Sequence, residues 1–478
     1  MEAEVAKRNS LWLIPAFFLL AYALPYLILL TRYWAPPAPD PYVFWVLAYS
    51  LAQAAASAAL SLAVGVLLGP AFLKTPWVKP IVVIPFFAPA LSTVDALVRL
   101  HGDVMYGPLG IVIAHTAYYA PYVALLVESN LRSIPADLLD ALEIYARRRA
   151  TRLRIMIWEL RPSLLYAFYT VFVFSFLSFT TPLLLGGRYP TLELLAYIYA
   201  TSFASTQLLS TVVVLILLTS ILLAVPLLKL PTPPPSAPTP RPPGIGWHVT
   251  AASHAAVAYY TVLVVYILQP LTAPRGVAEL APYLLNSFVV AVVSSAASIA
   301  AVLAFLAADL AGGKASALVY VVSMAMSKSL YAIGYFYLAQ PLYGTLLALA
   351  AAHALVITPF TYSLLKPAFE KIRLDVREAC SLYLTPGKCV ARIMTEALGP
   401  SVVQAWLLSL ASSLSETTLA FILTAGGATT LSAQAAKLLT SRAPDFIEAG
   451  HFYSAVLATV VILIMAASRA VKTRPYSF

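Results

Sequence analysis

The chain has 478 residues, 61% of them hydrophobic and 10% charged, and its mean hydropathy is +0.85. A soluble domain is about a quarter charged, so this composition excludes a soluble enzyme and indicates an integral membrane protein. The formal net charge of +10 then reads as a topology signal, and no nucleic-acid partner is expected.

Charge-free runs long enough to cross a hydrocarbon core of roughly 30 Å at about 1.5 Å per helical residue lie at 9–31, 41–73, 104–127, 162–187, 194–228, 242–274, 280–308, 329–365 and 449–468. Shorter runs at 80–94, 315–327, 397–415 and 417–436 extend or complete others. Together they predict an all-α, polytopic membrane protein of about twelve spans. Lys7 and Arg8 precede the first run as they would a signal peptide, but the run is long and leads to Trp34, Pro36 and Pro37 instead of a small-residue cleavage site, so it reads as a retained span. Basic residues near span ends favour the cytoplasmic side. With the N-terminus inside, 23 of the 30 Lys and Arg fall on inner segments and 6 on outer ones, with Lys328 inside a span. Both termini are therefore expected in the cytoplasm.

The stretch PTPPPSAPTPRPP (231–243) cannot be helix or sheet, because proline lacks the amide proton and clashes with the preceding turn. At about 3.1 Å per residue it reaches around 40 Å as an extended joint. It separates a first repeat (1–230) from a second (248–478), with 231–247 as the linker. A single offset of 238 residues superposes the halves over about 50 residues without a gap: His115 on His353, Pro121 on Pro359, Asp137 on Asp375, Asp140 on Glu378, Ala141 on Ala379, Tyr145 on Tyr383 and Arg154 on Arg392. Each half holds an even number of spans, so the copies lie the same way up, as parallel repeats.

Each copy places one polar loop between its fourth and fifth spans, at 131–161 and 367–399. Pro135 and Asp137 suit the opening of a helix, proline in the first turn and the acid at the positive end; Asp375 is the corresponding acid. Leu138, Ala141, Leu142 and Tyr145 recur at three- and four-residue spacing, which predicts a short amphipathic helix lying across the membrane mouth. Such a helix either docks into a partner's groove or rests on lipid headgroups; its repetition at one fixed place favours docking.

The loops read DALEIYA…IMIWELRP and EACSLYL…IMTEALGP, which resembles the cytoplasmic signature of permease subunits of binding-protein-dependent ABC importers. GIVIAHTAYYAPY (110–122), SFTTPLLLGG (178–187), TLELLAYIYA (191–200) and SLSETTLAFILTAGG (413–427) are similar to the fused two-repeat permeases of the ferric-iron and thiamine type. The family's glycine after the acid is Ala146 in one copy and Leu384 in the other, and its usual proline is replaced near Trp158 and Glu396. The resemblance implies a type I importer permease fold in a prokaryotic cell membrane, two cytoplasmic ABC ATPase subunits and an extracytoplasmic solute-binding protein. It implies that the two loops are coupling helices. Pro135, Asp137, Asp140, Ala141 and Tyr145 would face one ATPase, and Asp375, Glu378, Ala379 and Tyr383 the other. The solute would be ferric iron, thiamine or another small molecule.

The chain shows no phosphate-binding loop of its own: GGKAS (312–316) lacks the upstream glycine, and PGKC (386–389) ends in cysteine where a hydroxyl should stand. ATP hydrolysis therefore falls to a separate subunit, and the chain is not expected to be an enzyme. Lys328 and Glu416 lie inside apolar runs, with Asp95 and Asp309 nearer the ends. An ionisable group at that depth costs at least about 2.5 kcal/mol and is a functional candidate by default. Lys328, Glu416 and the adjacent Thr417 are candidates for lining a translocation path, the two charges alternatively forming a structural pair. His115 and His353 have no carboxylate or second histidine one turn away, so no metal site and no cofactor is expected. Cys380 and Cys389 read as plain thiols in a reducing cytoplasm. The rival functional class is an ion-gradient-driven secondary transporter, which accounts for the charges but gives the repeated loops no purpose.

Overall fold

A backbone removed from water must satisfy its own N–H and C=O groups, and a chain rich in Leu, Ala and Val does so as helix. The computed structural model describes residues 13–146, 149–202, 205–229, 247–310, 315–372, 374–424 and 426–471, which form helices and turns and no strand. The proline-rich joint lies outside the described residues up to position 246.

The first half contributes α1 (Leu13–Arg32), α2 (Pro41–Lys74), α3 (Ala90–His101), α4 (Pro108–Arg132), α5 (Ala136–Tyr145), α6 (Arg149–Phe176), α7 (Thr180–Leu185), α8 (Leu192–Thr201) and α9 (Thr206–Lys229). The second contributes α10 (Trp247–Leu268), α11 (Val277–Leu310), α12 (Ala315–Met324), α13 (Lys328–Leu338), α14 (Leu346–Glu370), α15 (Leu374–Tyr383), α16 (Pro386–Arg392), α17 (Gly399–Ser415), α18 (Thr418–Leu423), α19 (Leu431–Leu439) and α20 (Pro444–Ala470). The bounds of α4 and α14, of α5 and α15, and of α7 and α18 differ by the same 238 residues at both ends. The repeat read in side chains is thus a repeat of helical elements.

Where twelve spans are expected, the described residues give eight helices long and apolar enough to cross a membrane, and ten if each of two bent pairs is one span. The physical reason lies in the breaks. The run 80–94 is interrupted before Ala90, where Ala88 takes an extended backbone ahead of Pro89, and the chain bends by 101° there. The run 329–365 stops at Pro341 and the positive-φ Gly344 before α14 begins. α6 carries its arginines in its first turns, and only its later part is charge-free.

The chain forms two compact units, each drawn from both halves of the sequence. One comprises Met1–Asp40, Glu193–Ala224 and Leu271–Phe478. Its core gathers Tyr22, Phe305, Tyr331, Tyr362, Phe369 and Leu419. α1 is held there by second-half residues: Tyr22 Oη donates to the Leu355 carbonyl, and Tyr26 Oη to the Ser327 carbonyl at 2.7 Å. Gly334 lets α13 approach the Pro25 backbone so closely that a Cβ there would collide with the Pro25 carbonyl. Hydroxyls join α11, α14 and α17 across their contacts, with Ser298 to Thr361 at 2.7 Å and Thr361 to Ser409 at 2.6 Å, a bonding mode suited to helices in lipid.

The other unit comprises Pro41–Leu192 and Val225–Pro270. Its core packs Val123, Val127 and Leu131 of α4 with Ala167 and Val171 of α6. Here α10, the first span of the second half, lies on first-half helices: Tyr260 is buried beside Leu68 and Ala120, and Lys74 Nζ donates to Thr250 Oγ1 at 2.8 Å. The two exchanges are reciprocal in sequence, each half lending its first span to the other half's helices. Equivalent anchors recur as well: the Leu192 amide donates to Ser50 Oγ at 2.9 Å in this unit, and the Leu431 amide to Ser287 Oγ at 2.8 Å in the first.

Candidate functional site

The two polar loops fold as expected into ten-residue helices, α5 and α15. Pro135 stands one residue outside α5, at its N-cap, and its carbonyl accepts from the Leu138 and Leu139 amides. Asp137 follows in the first turn. The inner face of α5 is made by Leu139 and Leu142, each less than a tenth exposed, with Leu139 seated against Leu131, Ile134 and Leu160. Asp137, Asp140 and Glu143 face outward and Ala141 is half-buried. Tyr145, grouped by its spacing with the apolar residues, instead points to solvent and is 83% exposed.

α15 repeats the outward side of this arrangement. Glu378 and Ala379 are exposed, Tyr383 is 87% exposed, and the Arg377 guanidinium lies 5.7 Å over the Phe369 ring. The side chain of Asp375 lies outside the described residues. One feature escaped the sequence reading: beside each tyrosine stands an exposed aliphatic residue, Ile144 at 68% and Leu382 at 81%, again 238 positions apart. Both helices therefore end in an apolar knob made of an aliphatic and an aromatic side chain.

Cys380 and Cys389 are not plain thiols. They form a disulfide between α15 and α16, with Cα atoms 5.7 Å apart. The turn through Leu384 and Pro386 brings α16 back against α15, a proximity that spacing alone does not reveal. Cys389 is buried and Cys380 partly exposed.

Inside the first unit, Lys328 and Glu416 form an ion pair of 2.7 Å, with the lysine side chain 45% exposed and the glutamate 7%. The second oxygen of Glu416 accepts from the Thr418 and Leu419 amides at 3.0 and 3.4 Å, so the carboxylate also caps the positive end of α18. Thr417, between them, is buried. A second buried carboxylate stands at the start of α13, unmarked by the repeat. Glu193 is 1% exposed; one of its oxygens accepts from Ser327 Oγ at 2.9 Å and from Ser329 Oγ, while the other meets no partner among the described residues. Ser327 also caps α13, accepting from the Leu330 amide. Three consecutive residues, Ser327, Lys328 and Ser329, thus serve two buried carboxylates at the start of α13. TLELLAYIYA holds the only charge of its run at Glu193, and that charge was the available signal.

Asp95 pairs with Arg99 one turn on, at 3.2 Å, and Asp309 accepts from Tyr362 Oη at 2.6 Å. His115 Nδ1 lies 3.3 Å from Ser57 Oγ, and His353 Nδ1 3.0 Å from Ser413 Oγ. No group of three or more metal-ligating side chains occurs among the described residues.

These elements define a polytopic, all-α membrane protein with a duplicated pair of exposed handle helices and a charged cluster among its apolar helices, and the chain is similar to transport permeases. It is 29% identical over 191 residues to the thiamine transport system permease protein ThiP of Haemophilus influenzae, covering 33% of this chain and 34% of that protein. Over 96 residues, 20% of this chain, it is 32% identical to the putative ferric transport system permease protein FbpB 1 of the same organism and 33% identical to the ferric transport system permease protein FbpB of Actinobacillus pleuropneumoniae. The matched stretches span about a third of the first relative and 15% and 14% of the other two. No family model matches the chain.

Proposed function

We propose that this chain is the membrane permease of an ABC importer, formed by two parallel repeats joined by the 231–247 linker. α5 and α15 act as the coupling helices, each seated on one of two cytoplasmic ATPase subunits that hydrolyse ATP for it. An extracytoplasmic binding protein delivers the solute. The observation that carries this reading is the matched knob, Ile144–Tyr145 and Leu382–Tyr383, at the end of two helices that repeat at one offset. A lipid-resting helix would turn such side chains inward toward the hydrocarbon; here leucines occupy the inward face of α5 and the knob is left out. The basic residues of both loops support a cytoplasmic position for this face and for both termini.

Lys328, Glu416 and Thr417 contribute to the translocation path, and opening proceeds by movement of packed helices around a site between the repeats. The relatives' names indicate thiamine or ferric iron as the solute. A gradient-driven carrier remains the second reading, favoured by the Lys328–Glu416 pair alone. The test is photocross-linking from Tyr145 and Tyr383 in native membranes. Capture of an ATP-binding subunit at both positions is the expected result. Capture at neither, together with solute uptake by vesicles holding this chain alone, overturns the proposal in favour of the carrier.

A further inference from the structure

We propose that α6 carries a specific seat for an anionic phospholipid. A groove of about 660 Å³ runs along α6, within the roughly 300–1,000 Å³ range of ligand sites. Its lining begins at Arg154, passes Trp158 and Arg161, and continues to Leu164 and Phe168, with Leu62 of α2 across from them. The spacings of four, three, three and four residues put these five α6 positions on one helix face.

Polarity along this face changes as it does across one leaflet. Trp158 is 65% exposed, and the Arg161 guanidinium lies 4.9 Å over its ring, an arrangement of the headgroup level. Ten residues separate Trp158 from Phe168, about 15 Å of helix, which is half the hydrocarbon thickness. Ile157 and Leu165 also line the groove and are 46% and 50% exposed. Neither Arg154 nor Arg161 meets a carboxylate among the described residues. Two guanidiniums that meet no carboxylate among the described residues, above an apolar trough, match a phosphodiester headgroup with its acyl chain below.

The duplicated sequence supplies an internal control. At the same offset Arg154 becomes Arg392, which is paired with Glu396 at 3.0 Å. Glu396 itself stands where Trp158 does, and Gly399 where Arg161 does. The second copy bends by 93° at this point. The seat thus belongs to one copy only, and helix packing common to both copies does not require it.

The test reconstitutes the full chain in phosphatidylcholine vesicles containing phosphatidylglycerol, with bromine on the acyl chains of one lipid or the other at equal mole fraction. Quenching of Trp158 is read as the difference between the wild type and Trp158→Phe. Two arginines near the headgroups correspond to an enrichment of roughly thirtyfold, so brominated phosphatidylglycerol is expected to quench Trp158 several-fold more strongly. Arg154→Gln with Arg161→Gln abolishes the preference. Lysine at both positions retains it, as does Arg392→Gln in the other copy. Equal quenching by both lipids in the wild type, a preference that survives the double glutamine variant, or one that is removed by inorganic phosphate overturns the assignment.

Discussion

Lys328 and Glu416 are unequal partners, and that inequality fixes what their replacement does. The lysine is 45% exposed while the glutamate is 7% exposed and bound to two amides of α18. Lys328→Met leaves a buried carboxylate without its counter-ion. Breaking a fully buried pair costs about 3–5 kcal/mol; discounted for a lysine that reaches water, the loss here is about 1–3 kcal/mol. Glu416→Gln releases Lys328 to solvent, and the amide oxygen still accepts from Thr418 and Leu419, so the cost is about 1 kcal/mol or less. The double variant Lys328→Met/Glu416→Gln should be more stable than the sum of its parts by about 1–2 kcal/mol, within the usual coupling of contacting residues. Charge exchange, Lys328→Glu with Glu416→Lys, should not rescue, because an ammonium at 416 meets the positive end of α18 and cannot accept from its amides. Thermal unfolding midpoints of the purified chain in one detergent, with the four variants compared side by side, check this. Equal losses in both single variants, or additivity within about 0.5 kcal/mol, would refute the reasoning.

Tyr145→Ala and Tyr383→Ala remove exposed side chains and should shift stability by no more than about 0.5 kcal/mol, while abolishing co-purification of an ATPase; a large drop in unfolding midpoint would place these rings in the fold instead of at a contact. The Cys380–Cys389 disulfide closes a loop with a sequence separation of 9, worth about 2–3 kcal/mol to that segment by chain entropy. Alkylation before reduction should add no label, and after reduction two; two labels without reductant would show free thiols. Gly334→Ala puts a Cβ against the Pro25 carbonyl and should cost about 1–3 kcal/mol through overpacking, read as a lower midpoint; an unchanged midpoint would show that α1 does not sit closely on α13.

The duplication was legible because it is written in side-chain identity at a constant offset, and the handle helices because acids and leucines alternate at helical spacing there. The span count was less legible: hydropathy does not register a bend, and Pro89 or Gly344 divides a run without altering its average. Partnerships across long separations left little trace. Tyr22 bonds to a carbonyl 333 residues away, so nothing near residue 22 says that α1 lies among second-half helices. Glu193 stands at the edge of an apolar run, and the serines that hold it are 134 and 136 residues distant. The direction of Tyr145 followed from competition for one narrow face, which Leu139 and Leu142 fill.

Comparison of the two copies separates what the shared frame demands from what it permits. Two copies of one helical arrangement face the same packing requirements, so features kept in both answer to those requirements or to a partner that meets both. The bounds of α5 and α15, the serine anchors at Ser50 and Ser287, and the exposed knobs belong to that group. Lys328 and Glu416, by contrast, stand opposite Ala90 and Ser178 in the first copy, and Arg161 stands opposite Gly399 in the second. The frame evidently stands without these charges, since one copy lacks each of them. Of the three, Glu416 is the buried one, and an unneeded buried charge is costly in an apolar bundle, so its retention points to a requirement that only one copy carries. The exposed knobs of α5 and α15 are then the symmetric part of this molecule, while the charged cluster at α13 and the basic groove on α6 are its one-sided additions.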